Sequence, residues 1–236
     1  MSIKNRVVVI TGATGGLGRI VTKQFANQSA RLVLVGTSLE RVQSLEEELK
    51  LPKERVLISV ADLCQPERTS DLVRQTMDTF GRIDILLHLV GGWSGGKSVI
   101  ESNGEQAESM LQQHLWTTYH LTRGILPVML ANHWGRILAV SSPLASDPAA
   151  DMAPYAIGKA AQETLLRTIA EEVKGSGITA NILLVKKIDV EHVRDQNPEV
   201  TNSSWTTPED ISSTLLFLSS DEARTINGAR IPLYAS

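Results

Sequence analysis

Among 236 residues there is a single cysteine, Cys64. No intrachain disulfide can form, and a lone thiol suits a reducing compartment, which points to the cytoplasm. Neither sign of charge prevails: 23 Lys and Arg against 26 Asp and Glu leave a formal net charge of −3. No basic run stands out, so a nucleic-acid partner is not expected. Long apolar runs are missing as well. Segments such as "IDILLHLV" fall far short of the roughly 20 residues that span a bilayer, so no membrane partner is expected. The opening "MSIKNRVVVITG" goes straight into a strand-like run, without the apolar stretch of a secretory signal. Repeats, low-complexity tracts and linkers are absent too, and one domain over 1–236 accounts for the chain.

What is there is an alternation. Short β-branched runs at 6–11, 31–36, 55–60, 83–90, 136–141, 178–185 and 230–234 alternate with segments of helical period at 17–28, 39–50, 66–80, 104–131, 152–174 and 208–219. The last helix has a clear start: Thr207 as N-cap, Pro208 as first helical residue, then Glu209 and Asp210. Several strands are apolar at both alternations, as in a parallel sheet covered on both faces. Repeated strand–helix units with right-handed crossovers predict a doubly wound, Rossmann-like α/β/α sandwich, whose ligands sit at the carboxyl ends of the strands.

The first such end reads "TGATGGLGR", residues 11–19. Gly12, Gly16 and Gly18 fit G-x-x-x-G-x-G, and Gly15 also allows G-x-x-G-x-x-G. Glycines between a strand and a helix let backbone approach a pyrophosphate and aim helix N–H groups at its charge. A merely crowded strand–helix turn is the competing reading. At the end of the second strand, "VLVGTSLER" has no acid before Glu40 to hold a ribose 2′-hydroxyl and repel a 2′-phosphate. Thr37 and Ser38 can donate to a phosphate, with Arg41 or Arg19 adding charge, so NADP is favoured and NAD remains possible. Ser38 can equally cap the next helix.

"PYAIGK" places Tyr155 and Lys159 four residues apart, on one helical face. A phenol with a pKa of about 10 is a poor acid–base at neutral pH, and a nearby ammonium favours its ionised form. Thirteen residues earlier Ser142 ends the fifth strand-like run, where its hydroxyl can bond the substrate oxygen that Tyr155 protonates.

With "TGATGGLG", "ADL" (61–63), "GRILAVSS" (135–142), "YAIGK" (155–159), "GITAN" (177–181) and the tail from Thr207 to Ile231, the chain resembles the short-chain dehydrogenase/reductase family over essentially its whole length. The resemblance implies reversible hydride transfer between a nicotinamide cofactor and a small carbonyl or alcohol substrate. It makes Tyr155 the acid–base, Lys159 the residue that holds the nicotinamide ribose and lowers the phenol pKa, and Ser142 the group that orients the substrate oxygen. It assigns cofactor contacts to Gly12, Gly16, Leu17, Gly18, Asp62, Leu63 and Gly91; for Asp62 a helix cap before Pro66 is the alternative. It also implies a homo-oligomer, a dimer or tetramer, burying faces of the helices near 104–131 and 155–174.

The family pattern is departed from at four places. "HLVGG" replaces Asn-Asn-Ala-Gly after the fourth strand, leaving Gly91 matched and His88 as a packed or backbone-bonded histidine rather than a catalyst. His114 stands where the family has an asparagine that stabilises a helix distortion and holds a relay water; a histidine with a pKa near 6.5 can serve the relay, or the relay is lost. "VKK" (185–187) replaces Pro-Gly, and the Asp-Gly-Gly near the C-terminus is missing. Trp93, the segment 143–154 and Trp205 are pocket candidates, and no charged cluster marks a phosphate, coenzyme A or carboxylate handle. The rivals are a nucleotide-binding sensor or scaffold whose catalysis has decayed, and lyase or isomerase chemistry with the same tyrosine.

Overall fold

The computed structural model describes residues 2–196 and 203–234. Strands β1 (Val7–Thr11), β2 (Arg31–Gly36), β3 (Val56–Val60), β4 (Ile85–His88), β5 (Gly135–Ser141), β6 (Ile178–Leu184) and β7 (Arg230–Pro232) form one sheet in the order β3-β2-β1-β4-β5-β6-β7. Every pairing is parallel. The order reverses between β1 and β4, and there the carboxyl ends of the strands open a crevice.

Strand side chains alternate between two apolar layers. Val8, Ile10, Leu32, Leu34, Ile85 and Leu87 join one cluster; Val7, Val9, Val33, Val35 and Leu86 join the other. The first layer is covered by α1 (Gly16–Asn27), α2 (Leu39–Leu49) and, after the short α7 (Val193–Gln196), α8 (Pro208–Leu218); the second by α3 (Pro66–Phe80), α5 (Thr117–Ala131) and α6 (Ala153–Glu172). Each fully buried Val, Leu or Ile contributes about 1.5–3 kcal/mol, so the sheet's continuous apolar strands are what bind the two layers together.

The expected 104–131 helix is one helical stretch in three parts: α4 (Gly104–Leu111), a π-helical turn over Gln112–Trp116, and α5. The fourth strand is shorter than its apolar run, ending at His88 because Leu89 and Val90 leave the ladder to line the crevice. Thr207 caps α8 with Pro208 behind it, as its spacing predicts. Among the described residues no helix is long and apolar enough to cross a membrane.

Candidate active site

The loop after β1 is shaped by backbone crowding. Gly12 has φ +69°, and a Cβ there would lie 2.9 Å from the Leu89 carbonyl oxygen; one on Gly18 would lie 2.0 Å from the carbonyl oxygen of Gly12. Neither position admits a side chain. Gly16 is different: its nearest neighbour is the Val190 side chain at 3.0 Å, and it faces the crevice.

Two cavities meet at Gly12, Gly15, Leu89, Val90 and Gly91. One, of about 550 Å³, runs past Thr37, Arg41, Asp62 and Leu63; the other, of about 400 Å³, runs past Gly16, Leu17 and Gly18 to Tyr155 and Lys159. The residues present fit a dinucleotide, because the glycine cradle opens a continuous groove that any Cβ at Gly16 would narrow. Arg41 is fixed at the far end by a bond to the Thr14 carbonyl of 2.8 Å. Ser38 is not part of this lining: its hydroxyl caps α2, accepting from the Arg41 N–H at 3.4 Å. Arg19 is drawn outward into an ion pair with Glu48. Asp62 lines the groove and accepts from the Cys64 N–H at 3.0 Å, in the turn before α3; it is not the helix cap, since Gln65 holds that position.

At the other end Ser142, Tyr155 and Lys159 converge. Burial pushes the Tyr155 phenol above its ordinary pKa, and the hydrogen-bonded Ser142 hydroxyl draws it part of the way back. The expected lowering by Lys159 does not arise in this arrangement, because the ammonium is turned elsewhere. Its Nζ donates to the Val140 carbonyl at 2.8 Å and to Gln162 Oε1 at 3.0 Å. Burial takes Lys159 from 10.5 down to about 7, with Glu163 acting in the opposite direction. Ser142 also accepts from the Leu144 N–H at 3.3 Å, which fixes its place at the mouth of the 143–145 turn.

Both histidines of the departures are buried against this centre. His88 Nδ1 lies 2.8 Å from Thr11 Oγ1 and its Nε2 lies 3.1 Å from Thr117 Oγ1. Thr117 spends its proton on the Gln113 carbonyl at 2.6 Å, so His88 donates from Nε2 and accepts at Nδ1. It pins β1, β4 and α5 together. His114 sits in the π turn, its ring edge-on to Tyr155 at 5.7 Å, with Nε2 donating to the Gly92 carbonyl at 3.2 Å. Its Nδ1 is buried without a partner among the described residues. Desolvation, with the nearby Lys159 charge, lowers both imidazoles to about 3. In this fold His114 is a neutral ring whose Nδ1 is left as an acceptor. The helix distortion expected at this position is kept.

Three features escaped the sequence. Gln162, one turn beyond Lys159, is its direct partner. Gly158 lets α6 approach the end of α4 and the π turn, since a Cβ would stand 2.8 Å from the Met110 carbonyl oxygen and 3.0 Å from His114 Cδ2. Lys186 and Lys187 line the groove at the end that holds Tyr155 and Lys159, where the described lining residues include no acid. "VKK" was the signal for these two cations. Their Nζ atoms lie over the rings of Tyr234 at 5.0 Å and Trp205 at 3.5 Å. Of the pocket candidates, Trp93 lines the groove, and the Trp205 ring lies under the Lys187 Nζ.

A family model described as short chain dehydrogenase matches residues 6–201. The chain is similar to the (2S)-[(R)-hydroxy(phenyl)methyl]succinyl-CoA dehydrogenase subunit BbsD of Thauera aromatica, 30% identical over 97% of this chain and 94% of the relative. It is also similar to the D-beta-hydroxybutyrate dehydrogenase of Rhizobium meliloti, 27% identical over 97% and 96%. The crystal structure of levodione reductase superposes with a TM-score of 0.87 at 25% identity, covering 98% of this chain and 96% of that one.

Proposed function

The chain belongs to the short-chain dehydrogenase/reductase family, and on that premise we propose that it is an NADP-preferring oxidoreductase interconverting a small carbonyl compound and its alcohol. The observation that carries this reading is the convergence of Ser142, Tyr155 and Lys159 at one end of the glycine-cradled groove. A bound nicotinamide would supply or accept the hydride. Gly12, Gly16, Leu17, Gly18 and Gly91 would hold the dinucleotide, with Asp62 and Leu63 at its adenine end. Thr37 and Arg41, with no acid at the end of β2, support a 2′-phosphate there.

In the reductive direction Tyr155 gives its proton to the substrate oxygen while Ser142 bonds that oxygen and holds it in reach. The Ser142 hydroxyl, bonded to the phenol, favours the phenolate left behind, and Lys159 would hold the nicotinamide ribose of a bound cofactor. Lys186 and Lys187 favour a substrate with a carboxylate or phosphate near the carbonyl. The exposed Trp116, Tyr119 and Ile157 on the outer faces of the π turn, α5 and α6 support a homo-oligomer; a monomer in sedimentation would count against it. The lone cysteine supports the cytoplasm as its compartment.

The test is fluorescence titration with NADPH and NADH, then a carbonyl panel followed by absorbance of the reduced cofactor. Tighter NADPH binding with turnover is expected, and Tyr155→Phe should lose about 10²–10⁴-fold in kcat while keeping cofactor affinity. Equal affinity for NADH would sink the cofactor preference. Tight binding without turnover by the wild type would favour the sensor, and near wild-type turnover by Tyr155→Phe would remove the proposed acid.

A further inference from the structure

Resting on that reading, we propose that Gln162 and Thr118 are positioning residues, which together fix where the Lys159 ammonium sits and which of its protons stay free for the reaction.

An ammonium has three N–H groups. Lys159 commits one to the Val140 carbonyl at 2.8 Å and one to Gln162 Oε1 at 3.0 Å. A glutamine side chain can present either end, and here its far end decides. Thr118 Oγ1 gives its only proton to the His114 carbonyl at 2.6 Å, inside the π turn. Toward Gln162 Nε2, 3.0 Å away, the hydroxyl therefore accepts. The amide nitrogen is held on Thr118, and the amide oxygen must face Lys159. The polarity of the group touching the ammonium is thus set from the helix distortion, through one hydroxyl and one amide.

Thr118, Lys159 and Gln162 are all buried, so an unpaired amide or ammonium here would be costly. The surrounding charges do not replace Gln162. His88 from β4 and His114 from the π turn are neutral. Glu163, on α6 itself, has its oxygens engaged by Ser141 Oγ and by Arg230 Nε of β7, each at 2.6 Å. Tyr155 shares the helix face, and Lys186 and Lys187 approach the cleft from the segment after β6. Desolvation brings Lys159 down to about 7 and the Glu163 charge opposes it from a distance; Val140 and Gln162 are the acceptors in direct contact, and hydrogen bonds to the charged form act in the same sense as Glu163.

The experiment takes the full chain as Gln162→Leu, Gln162→Glu and Thr118→Val. Lys159 is titrated without cofactor by ¹³C NMR of its ε-carbon, assigned by loss of its signal in Lys159→Arg, and kcat is followed against pH with NADPH. Gln162→Leu is expected to lower the Lys159 titration by about one unit and move the matching limb of the kcat profile the same way. Gln162→Glu should move both upward, and Thr118→Val downward by less than Leu. If Leu does not fold, the opposite shifts of the Glu and Thr118→Val variants carry the same test. A uniform drop in kcat with no shift in the limb or the NMR titration is what a merely structural role gives, and it overturns the proposal. A chain that turns over no carbonyl would defeat the proposed reaction, while the NMR titration would still decide the role of Gln162.

Discussion

Lysines 186 and 187 show how far a residue's meaning depends on where its head group lies. In the sequence they are a departure from a family motif; in the structure both residues line the groove that holds Tyr155 and Lys159, and their Nζ atoms rest over Tyr234 and Trp205. Exposed cation–π contacts contribute only about 0.5–1 kcal/mol, so the heads leave the rings readily for an anion. A carboxylate placed between them gains charge-assisted hydrogen bonds, roughly twice as strong as neutral ones. A 3-oxo acid should therefore show a lower KM than its methyl ester. Lys186→Ala with Lys187→Ala should erase that preference by raising the acid's KM about ten-fold or more, with the ester's KM unchanged. If NADPH affinity falls instead and the acid–ester ratio holds, the lysines serve the cofactor's pyrophosphate and the prediction fails.

Between elements, the contact of α6 with the π turn matters most, and one glycine governs it. A Cβ on Gly158 would meet the Met110 carbonyl oxygen at 2.8 Å and His114 Cδ2 at 3.0 Å. Gly158→Ala therefore has to push apart the helix carrying Tyr155 and Lys159 and the turn that orients Gln162. Overpacking of this kind costs about 1–3 kcal/mol, against which alanine's better helix propensity returns somewhat less than 1. The expected result is a small loss in urea midpoint and a loss of at least ten-fold in kcat; unchanged kcat would mean that the spacing of the two elements is not critical. The elements themselves were legible in the residues. Their bounds follow β-branched runs, Thr207 and Pro208 mark the start of α8, and Tyr155, Lys159 and Ser142 announce themselves by spacing. Illegible were the contacts that depend on two elements meeting. Nothing local to Gln162 says that its amide will face Lys159, and Ser38 reads equally as phosphate donor and cap until the path of α2 is known.

For the whole molecule, burial of two neutral histidines couples folding to pH. His88 and His114 fall from 6.5 to about 3 in the folded chain. Between those values the unfolded chain binds more protons than the folded one, so stability is fully present above about pH 6.5 and is lost as pH falls toward 3. Lys159, lowered to about 7, acts in the same sense at higher pH, adding stability as pH rises from there toward 10.5. Near pH 5 the carboxylates whose pKa values hydrogen bonds and pairing lower are ionised in both states and add little; in Asp189 the desolvation that raises it is outweighed by the Arg194 and Val193 N–H groups, which hold it below its ordinary 3.8. The interval from pH 7 to 5 therefore isolates the histidines. Each should cost about 2 kcal/mol across it, a large share of the stability of an ordinary domain. Urea unfolding at both pH values and one protein concentration measures the loss. His88→Asn and His114→Asn should each remove about half of it, even where they lower stability at pH 7 by disturbing Thr11, Thr117 or Gly92. A loss that persists undiminished in both variants would mean that these rings are protonated in the fold, and that the neutral pair flanking Lys159 does not exist.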